Sequence, residues 1–478
     1  MKEKINIGIY YGTSYDRDTW KFKVIENFPQ FCNVFIASRF EKIDLKQQEN
    51  ISIEYVYSNK IFKNKTGSIE DIIEAEKYIG FSFIHLLRSW YNWDKKIEKD
   101  EKELNKRFEA ITKYVLFWKD FFIKNKIDFF VGVLESTYIE IVAMEVVKKL
   151  NIPVINICPG RISNTFMVYG DNFIPIYIDG VDKDEQEKIW NLLKEKYSFK
   201  KSVEGSQVIS YIASYGNLSP KYLFEKIRKI LRYYKNYRND NLPDRYRTNP
   251  PSQLLINYIK HLIRRRYAKL KFKSIDYSKI NFFFFPLHYV DEATLSYQEP
   301  FNNQFRLIEN IARCLPLNTK LIVKPHIHYQ CMDIPLNEIK KISVLRNVIL
   351  IDPTTSPYDL ISKSIGVLTI NSTVGFETLI FEKPLITFGH DFYADEGVSI
   401  VVHDLLELPK ILMNVYIEDI KFDKEKIKKV VASYYKNLMF MEGTISAHYN
   451  LTDNDGKKIT NAILKVYGQK NKNVQKSK

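Results

Sequence analysis

Short apolar runs alternate with amphipathic stretches along the first third of the chain. The runs are rich in β-branched and aromatic residues, as is typical of strands, whereas the stretches between them repeat their apolar positions every three to four residues, as helices do. This rhythm predicts βα units. The predicted strands are Ile5–Tyr11, Cys32–Ser38, Ile51–Tyr57, Asp128–Leu134 and Pro153–Cys158, and helices are expected at 16–28, 98–124 and 137–150.

The same rhythm restarts after residue 280. Six short apolar runs are separated by short helical patterns, so a second sheet is predicted. Strands that alternate with helices favour parallel sheets covered on both faces. The predicted fold class is therefore α/β, with two Rossmann-type domains facing a cleft. The second set of strands is Asn281–Phe285, Lys320–Lys324, Val348–Ile351, Val367–Ile370, Leu385–Phe388 and Ser399–Val402, with helices at 304–315, 336–342, 357–363 and 374–382.

Charge is concentrated in one part of the chain. The 478 residues carry 72 Lys and Arg against 57 Asp and Glu, a net charge of +15. Residues 221–273 hold 16 Lys and Arg against 3 Asp and Glu, a net +13, so the rest of the chain is nearly neutral. We expect five segments: a Rossmann-like domain at 1–180, a basic helical segment at 181–275, a second Rossmann-like domain at 276–420, closing helices at 421–468 and a frayed basic tail at 469–478.

The basic segment has apolar positions at helical spacing and Lys and Arg on its other faces, as in Leu255, Ile259 and Ile263 followed by 264–266. Such helices can lie against an anionic membrane, and they can equally pack on a domain with their basic face in solvent. Both interpretations stay open. No recognised nucleic-acid module surrounds the segment, so no nucleic-acid partner is expected.

Several classes of protein and site are disfavoured. The four cysteines are far apart and form no CxxC pair, which argues against a disulfide framework and a structural zinc site. No apolar run approaches the ~20 residues of a membrane span, and the start of the chain reads as a strand rather than a signal peptide. We expect a cytoplasmic protein with no metal site.

The densest polar constellation follows the strand at 367–370. Asn371, Ser372, Thr373 and Gly375 open a helix, and an open helix N-terminus with unpaired N–H groups suits a phosphate. Ser372 or Thr373 acting as a simple cap is the alternative. Glu377 lies outside capping-box spacing and is a candidate for ribose hydroxyls.

Two more strand ends carry basic or imidazole side chains. Lys324 and His326 follow the strand at 320–324 and suit a phosphate leaving group, one as a fixed charge and one as a donor. His288 follows the strand at 281–285 and is a candidate catalytic residue, although a histidine bonded within its loop is an equal interpretation. Glu135 follows the strand at 128–134, as a candidate base or as a charge that stabilises the next helix.

Taken together, these residues resemble the capsular polysaccharide biosynthesis family, which includes Kdo-transferring enzymes of the GT-B fold. The likeness lies in Pro286-Leu287-His288, in Gln304 and in Lys324-Pro325-His326. It continues from Asn371 through Glu377 to the stretch 383–389. Relatives usually have Pro after the histidine of the Lys-Pro-His motif, where this chain has Ile327. They often have Pro-Glu after the Pro-Leu-His motif, where this chain has Asp291 and Glu292.

The resemblance implies a glycosyltransferase that moves an acidic sugar such as Kdo from a nucleotide-sugar to a growing capsular or other surface polysaccharide, or to its lipid-linked primer. It implies that 1–180 is the acceptor domain and 276–420 the nucleotide-sugar domain. It implies no cofactor and no metal, and a CMP-sugar in preference to a UDP-sugar. Other expected partners are an anionic membrane along 221–273 and polysaccharide assembly or export proteins. The alternative is a non-catalytic assembly or export scaffold with the same fold.

Overall fold

The structure is a computed structural model that falls into two compact units. The first unit comprises residues 1–180 and 433–478, and the second comprises residues 181–432. The described residues are 4–12, 19–39, 45–46, 48–63, 68–89, 101–132, 138–170, 174–198, 228, 251–273, 275–289, 301, 303–327, 331, 334–418, 420, 422–444 and 450–476.

A seven-stranded sheet forms the centre of the first unit. Its order is β3-β2-β1-β4-β5-β6-β13, and the pairs from β3 to β5 are parallel. β6 runs antiparallel to β5 and to β13. The strands are β1 (Ile5–Tyr11), β2 (Cys32–Ser38), β3 (Ile51–Tyr55), β4 (Phe129–Gly132), β5 (Val154–Pro159), β6 (Thr165–Tyr169) and β13 (Met439–Phe440).

Helices cover this sheet, and one of them, at 101–124, carries a buried aromatic face. Trp118 is fully buried, stacks on Phe122 and donates its indole N–H to the Ile139 carbonyl at 2.8 Å. The helices are α1 (Thr19–Ile25), α2 (Lys60–Lys63), α3 (Ile69–Ile79), α4 (Phe83–Ser89), α5 (Glu101–Lys124), α6 (Tyr138–Lys149) and α16 (Asp453–Lys476).

The C-terminal segment returns to the first unit, which the sequence did not predict. α16 packs against α1, and Ile459 and Ile463 are fully buried in the same core as β1 and β2. The approach is close at Gly456, because a Cβ there would overlap the backbone of Lys23. The tail predicted to fray from residue 469 is instead helical to Lys476, since no Gly or Pro follows Gly468 to end the helix.

One buried carboxylate holds the start of α16. Asp455 accepts the backbone N–H groups of Glu442, Gly443 and Thr452 at 2.8 to 2.9 Å, and its own N–H donates to the Thr452 hydroxyl. Burial by itself would raise the pKa of Asp455, but these donors outweigh it and hold the pKa below its ordinary value. The side chain is therefore a reciprocal cap and not a metal ligand.

Replacement of this carboxylate is expected to destabilise the first unit. Asp455→Ala leaves three N–H groups without their acceptor, which costs about 2 kcal/mol or more of unfolding free energy. Because the pKa is lower in the folded state, the contribution is present above the ordinary Asp pKa and is lost as the pH falls through the folded value. Urea melts at pH 7 and pH 3 measure both effects.

The neighbouring Asp453 provides the control. It forms an exposed ion pair with Lys23, and such pairs contribute little to stability. Asp453→Ala should therefore melt close to the wild type. Equal destabilisation by both variants would contradict the role given to Asp455.

The second unit is built on a six-stranded sheet, and all five of its strand pairs are parallel. Its order is β9-β8-β7-β10-β11-β12, which is the Rossmann order 3-2-1-4-5-6 and has two outer and three central pairs. Phe282 to Phe285 are completely buried in its first strand. The strands are β7 (Asn281–Pro286), β8 (Thr319–Lys324), β9 (Val348–Leu350), β10 (Gly366–Thr369), β11 (Leu385–Thr387) and β12 (Ile400–Val401).

Helices connect these strands. A network of ion pairs links one helix, α7 (residues 183–198), to Glu382 and Lys424. Glu382, just after α12, accepts from Lys194 and lies 3.5 Å from Lys424. The two lysines, Lys194 first, hold the pKa of Glu382 below its ordinary value. The other helices are α8 (Pro251–Lys269), α9 (Gln304–Cys314), α10 (Leu336–Val344), α11 (Pro357–Lys363), α12 (Thr373–Ile380), α13 (Phe392–Asp395), α14 (Leu408–Tyr416) and α15 (Lys424–Lys436).

The predicted fold class is confirmed: the chain forms two Rossmann-type α/β units. Eleven strands were predicted and all eleven are present, with small shifts at their ends. The antiparallel strands β6 and β13 were not predicted. β6 forms a hairpin with the adjacent β5, whereas β13 pairs with β6 from more than 270 residues further along the chain. Within the basic segment, residues 199–250 lie outside the described residues, apart from residue 228. Over the described parts of the chain, no helix is both long enough and apolar enough to cross a membrane.

Candidate functional site

The three polar constellations of the second unit meet at one edge of its sheet. β10, β7 and β8 are neighbours, and Pro286 of β7 pairs with Lys324 of β8. The β7–β10 register, extended to the end of β10, brings Thr369 level with them. Pro286, Lys324 and Thr369 thus form one row across the sheet. Two residues after each of them come His288, His326 and Asn371, which therefore follow the carboxyl ends of three adjacent strands at a common level.

This edge is also the place where the chain changes direction across the sheet. From β7 the chain adds β8 and β9 on one side and then crosses to β10 on the other. The loops after β7 and β10 therefore part at the topological switch point, where open α/β sheets bind their ligands. His288 and Asn371 lie in those two loops.

A glutamine clamps the backbone of His288. The backbone N–H of His288 donates to Gln304 Oε1 at 3.0 Å, and the backbone carbonyl of His288 accepts from Gln304 Nε2 at 3.1 Å. Both residues are almost fully buried. The loop after β7 is therefore held on α9 by two hydrogen bonds. The sequence marked Gln304 through the resemblance alone.

Lys324 and His326 differ in burial. Lys324 ends β8 with 8% of its surface exposed, and its carbonyl accepts the N–H of Leu287. His326 follows the buried Pro325 and is half-buried. A buried lysine supplies a charge in a medium of reduced dielectric constant, where its attraction for a phosphate is stronger than in water. His328 lies outside the described residues.

Asn371 is the clearest sign of a binding function at this edge. It is 3% exposed, and its Oδ1 atom has no hydrogen-bond partner among the described residues. A buried amide oxygen without a partner costs free energy, so such atoms call for an explanation. A ligand donor, such as a hydroxyl or amino group, would satisfy it.

The start of α12 is not capped by the side chain of Ser372. The Ser372 hydroxyl lies 2.8 Å from the hydroxyl of Thr369, and no side-chain cap bond forms at this N-cap position. Of the two interpretations of Ser372, the simple cap is therefore wrong. Thr373 is the exposed first residue of the helix. The uncapped N-terminus remains suited to an anion.

A buried tyrosine explains Gly375. Tyr393 is completely buried and donates its hydroxyl to the Ser372 carbonyl at 2.9 Å. A Cβ on Gly375 would stand 2.5 Å from Cζ of Tyr393. The missing side chain thus makes room for Tyr393, which fixes the loop from below, and the glycine needs no ligand to account for it. Nothing local in the sequence pointed to Tyr393.

Gly375→Ala is expected to destabilise the second unit. The added methyl would overlap a buried ring that has no space to move, an overpacking that costs about 1–3 kcal/mol. Gly468→Ala is the control, because nothing lies within 4 Å of the position of its Cβ. Thermal melts would show the loss for position 375 and no loss for position 468. Equal melting temperatures would contradict the packing described.

Glu377 has a tertiary partner, which its spacing outside a capping box did not reveal. The hydroxyl of Tyr358, from α11, donates to its Oε1 at 3.2 Å, and both residues are buried. Tyr358 in turn stacks on Phe381. Glu377 thus takes no local capping role, but it does have a partner in the preceding helix, which its spacing could not indicate.

Glu135 lies outside the described residues, between β4 and α6, and stays a prediction from the sequence. The described part of the chain also contains no cluster of three or more His, Cys, Asp or Glu side chains that could hold a metal ion. The site as described consists of one sheet edge in the second unit.

An α/β unit with Rossmann strand order and polar groups at its switch point defines a class of ligand-binding domain. Comparison with protein families adds a more specific finding. Residues 209–404 match the model of the family described as "Capsule polysaccharide biosynthesis protein". The resemblance to that family drawn from the sequence is confirmed over this segment. No curated protein matches the chain.

Solved structures similar to the chain include two from Thermosulfurimonas dismutans KpsC. Its β-Kdo 2,7 transferase is 16% identical, with 74% of this chain and 89% of that chain covered and a TM-score of 0.33. Its β-Kdo 2,4 transferase is 15% identical, covers 67% and 85%, and has a TM-score of 0.31. UDP-GlcNAc 2-epimerase from Methanocaldococcus jannaschii is 14% identical, covers 96% and 99%, and has a TM-score of 0.23.

Proposed function

We propose that this chain is a glycosyltransferase that moves a sugar, Kdo or another acidic sugar, from a nucleotide-sugar to a growing capsular or other surface polysaccharide or its lipid-linked primer. The observation that carries the proposal is the row of Asn371, His288 and His326 at the switch point of a Rossmann-ordered sheet. The match of residues 209–404 to the capsule family supports a glycosyltransferase role in capsule synthesis.

The second unit would hold the donor. Lys324, His326 and the N–H groups at the start of α12 would bind its phosphate, and Asn371 Oδ1 would accept a hydrogen bond from its sugar or base. Glu377, which accepts a hydrogen bond from Tyr358 through Oε1, would bind a ribose hydroxyl. These groups would stabilise the negative charge that develops on the departing phosphate.

The reaction exchanges one bond at the anomeric carbon for another. The bond from that carbon to the phosphate oxygen breaks, and its electron pair leaves with the nucleotide. An acceptor hydroxyl oxygen forms the new bond, and Glu135 would take its proton as general base. The charge on the leaving phosphate is met by protein groups, so the reaction is proposed to be metal-independent.

The donor is proposed to be a CMP-sugar rather than a UDP-sugar, and the enzyme to work in the cytoplasm on the inner face of the membrane. Purified protein is incubated with a panel of CMP- and UDP-sugars, with and without acceptor glycans, in the presence of EDTA. Nucleotide released only with a CMP-sugar and acceptor is the expected result. Activity abolished by EDTA would refute metal independence. If no nucleotide raises the melting temperature of the protein, the scaffold alternative is favoured.

A further inference from the structure

Helix α8 (Pro251–Lys269) carries an exposed apolar stripe. Ile256, Ile259 and Ile263 are 44%, 49% and 52% exposed, and Leu270, just past the helix end, is 78% exposed. At about 100° per residue, the three isoleucines fall within an arc of about 60°. Isolated exposed apolar residues are common, but three on one helical line, with Leu270 beyond the helix end, form a patch that calls for a partner.

Cations flank the stripe on both sides. Lys260 and Arg266 are exposed on its two borders, and Lys269 and Lys273 are exposed at its end. Residues 251–273 contain no Asp or Glu. An apolar line between basic borders is the arrangement of helices that lie in the interface of an anionic bilayer.

The opposite side of the helix fastens it to the second unit. Ala268 is completely buried, α8 packs against α10, and the Lys273 N–H donates to the Leu350 carbonyl of β9 at 3.0 Å. The sequence left open whether the apolar positions of this helix pack on the domain. The structure buries Ala268 and leaves Ile259 and Ile263 at the surface.

We propose that α8 is a membrane-docking surface, formed by Ile256, Ile259, Ile263, Leu270 and their basic borders, that binds anionic phospholipid bilayers. The isoleucines would enter the boundary between headgroups and acyl chains, and the cations would lie among the lipid phosphates. The charge complementarity of a segment without carboxylates selects a bilayer over a neutral apolar partner. This inference rests on α8 alone and not on the proposed transferase activity.

The test uses the full-length protein and sedimentation with vesicles of phosphatidylcholine alone or mixed with phosphatidylglycerol. Binding is expected with the anionic vesicles only, and it should weaken as salt rises, because screening shortens the reach of the cations. Failure to bind the anionic vesicles at low salt would overturn the proposal.

Two variants separate the parts of the surface. The triple variant Ile256→Ser, Ile259→Ser, Ile263→Ser should lose the binding that survives high salt. The double variant Lys260→Gln, Arg266→Gln should weaken binding at low salt by at least about tenfold, since each cation near the surface contributes roughly a fivefold factor.

Matched controls use the same changes elsewhere in the second unit. Lys410 and Lys429 are exposed lysines and Leu317 is 85% exposed. Lys410→Gln with Lys429→Gln, and Leu317→Ser, should bind vesicles as the wild type does. Binding that is reduced equally by controls and test variants would overturn the proposal, as would self-association of the wild type that the triple variant abolishes.

Nucleotide release with a water-soluble acceptor provides the separate readout for the transferase function. The α8 variants should keep it, because none of their residues belongs to the donor site. Loss of vesicle binding with intact release would support the docking surface, whereas vesicle binding without any release would refute the transferase function and leave the docking surface standing.

Discussion

His326→Ala is expected to lower turnover by about 10²–10³-fold, the usual cost of removing one donor aimed at developing negative charge. Nucleotide affinity should also fall, by about tenfold or more, because a hydrogen bond to a charged phosphate is lost. The reason lies in its position: His326 follows β8 at the same level as His288 and Asn371, beside the buried Lys324. Initial rates and nucleotide titrations measure the two effects.

The control for this variant is His403→Ala. His403 is an exposed histidine of the same unit, and it lies after β12 at the far end of the sheet. It should retain wild-type turnover and affinity. If His326→Ala also retains both, the phosphate does not lie at the end of β8 and the donor site proposed here is wrong.

Glu135→Gln is expected to depress turnover by about 10²–10⁴-fold and to leave nucleotide binding intact. A glutamine keeps the size of the side chain but cannot accept the proton of the acceptor hydroxyl. The residue follows a strand of the first unit, whereas the donor groups belong to the second, so the two functions should separate. Single-turnover rates together with calorimetric nucleotide titration distinguish them.

Glu145→Gln is the matched control for loss of one negative charge nearby. Glu145 lies on α6 and pairs with Lys148. Its replacement should leave turnover unchanged. Wild-type turnover in Glu135→Gln would remove Glu135 from the mechanism and return it to the alternative role of a charge at the start of a helix.

The two variants also test whether donor binding and proton removal belong to different residues. His326→Ala should change both affinity and turnover, and Glu135→Gln should change turnover only. Vesicle binding through α8 should be unaffected by either substitution. A variant that changes all three properties would indicate loss of the fold instead, which the thermal melt of each protein would show.

The strands could be predicted because their signal is local. A buried parallel strand is a short apolar run, and Phe282 to Phe285 or Val367 to Ile370 are recognised from their own residues. The polar residues that follow are equally visible, so the sequence alone identified Lys324, His326 and the stretch from Asn371 to Gly375. The α/β class and two sheets were determined at this level.

Other properties depend on which distant segments meet. The Rossmann order of the second sheet and its registers bring His288, His326 and Asn371 level with one another. Ring packing and one hydrogen bond let Tyr393 fix the loop below Gly375, and Tyr358 engages Glu377. The return of α16 to the first unit rests on side chains more than four hundred residues from their partners in α1.

The sequence by itself thus determined the elements and the types of side chain at their ends, because propensity and burial pattern act over a few neighbouring residues. Only the tertiary structure decided which strand ends lie side by side, why Gly375 is a glycine and which face of α8 remains exposed. Those outcomes depend on packing between segments that no local pattern can encode.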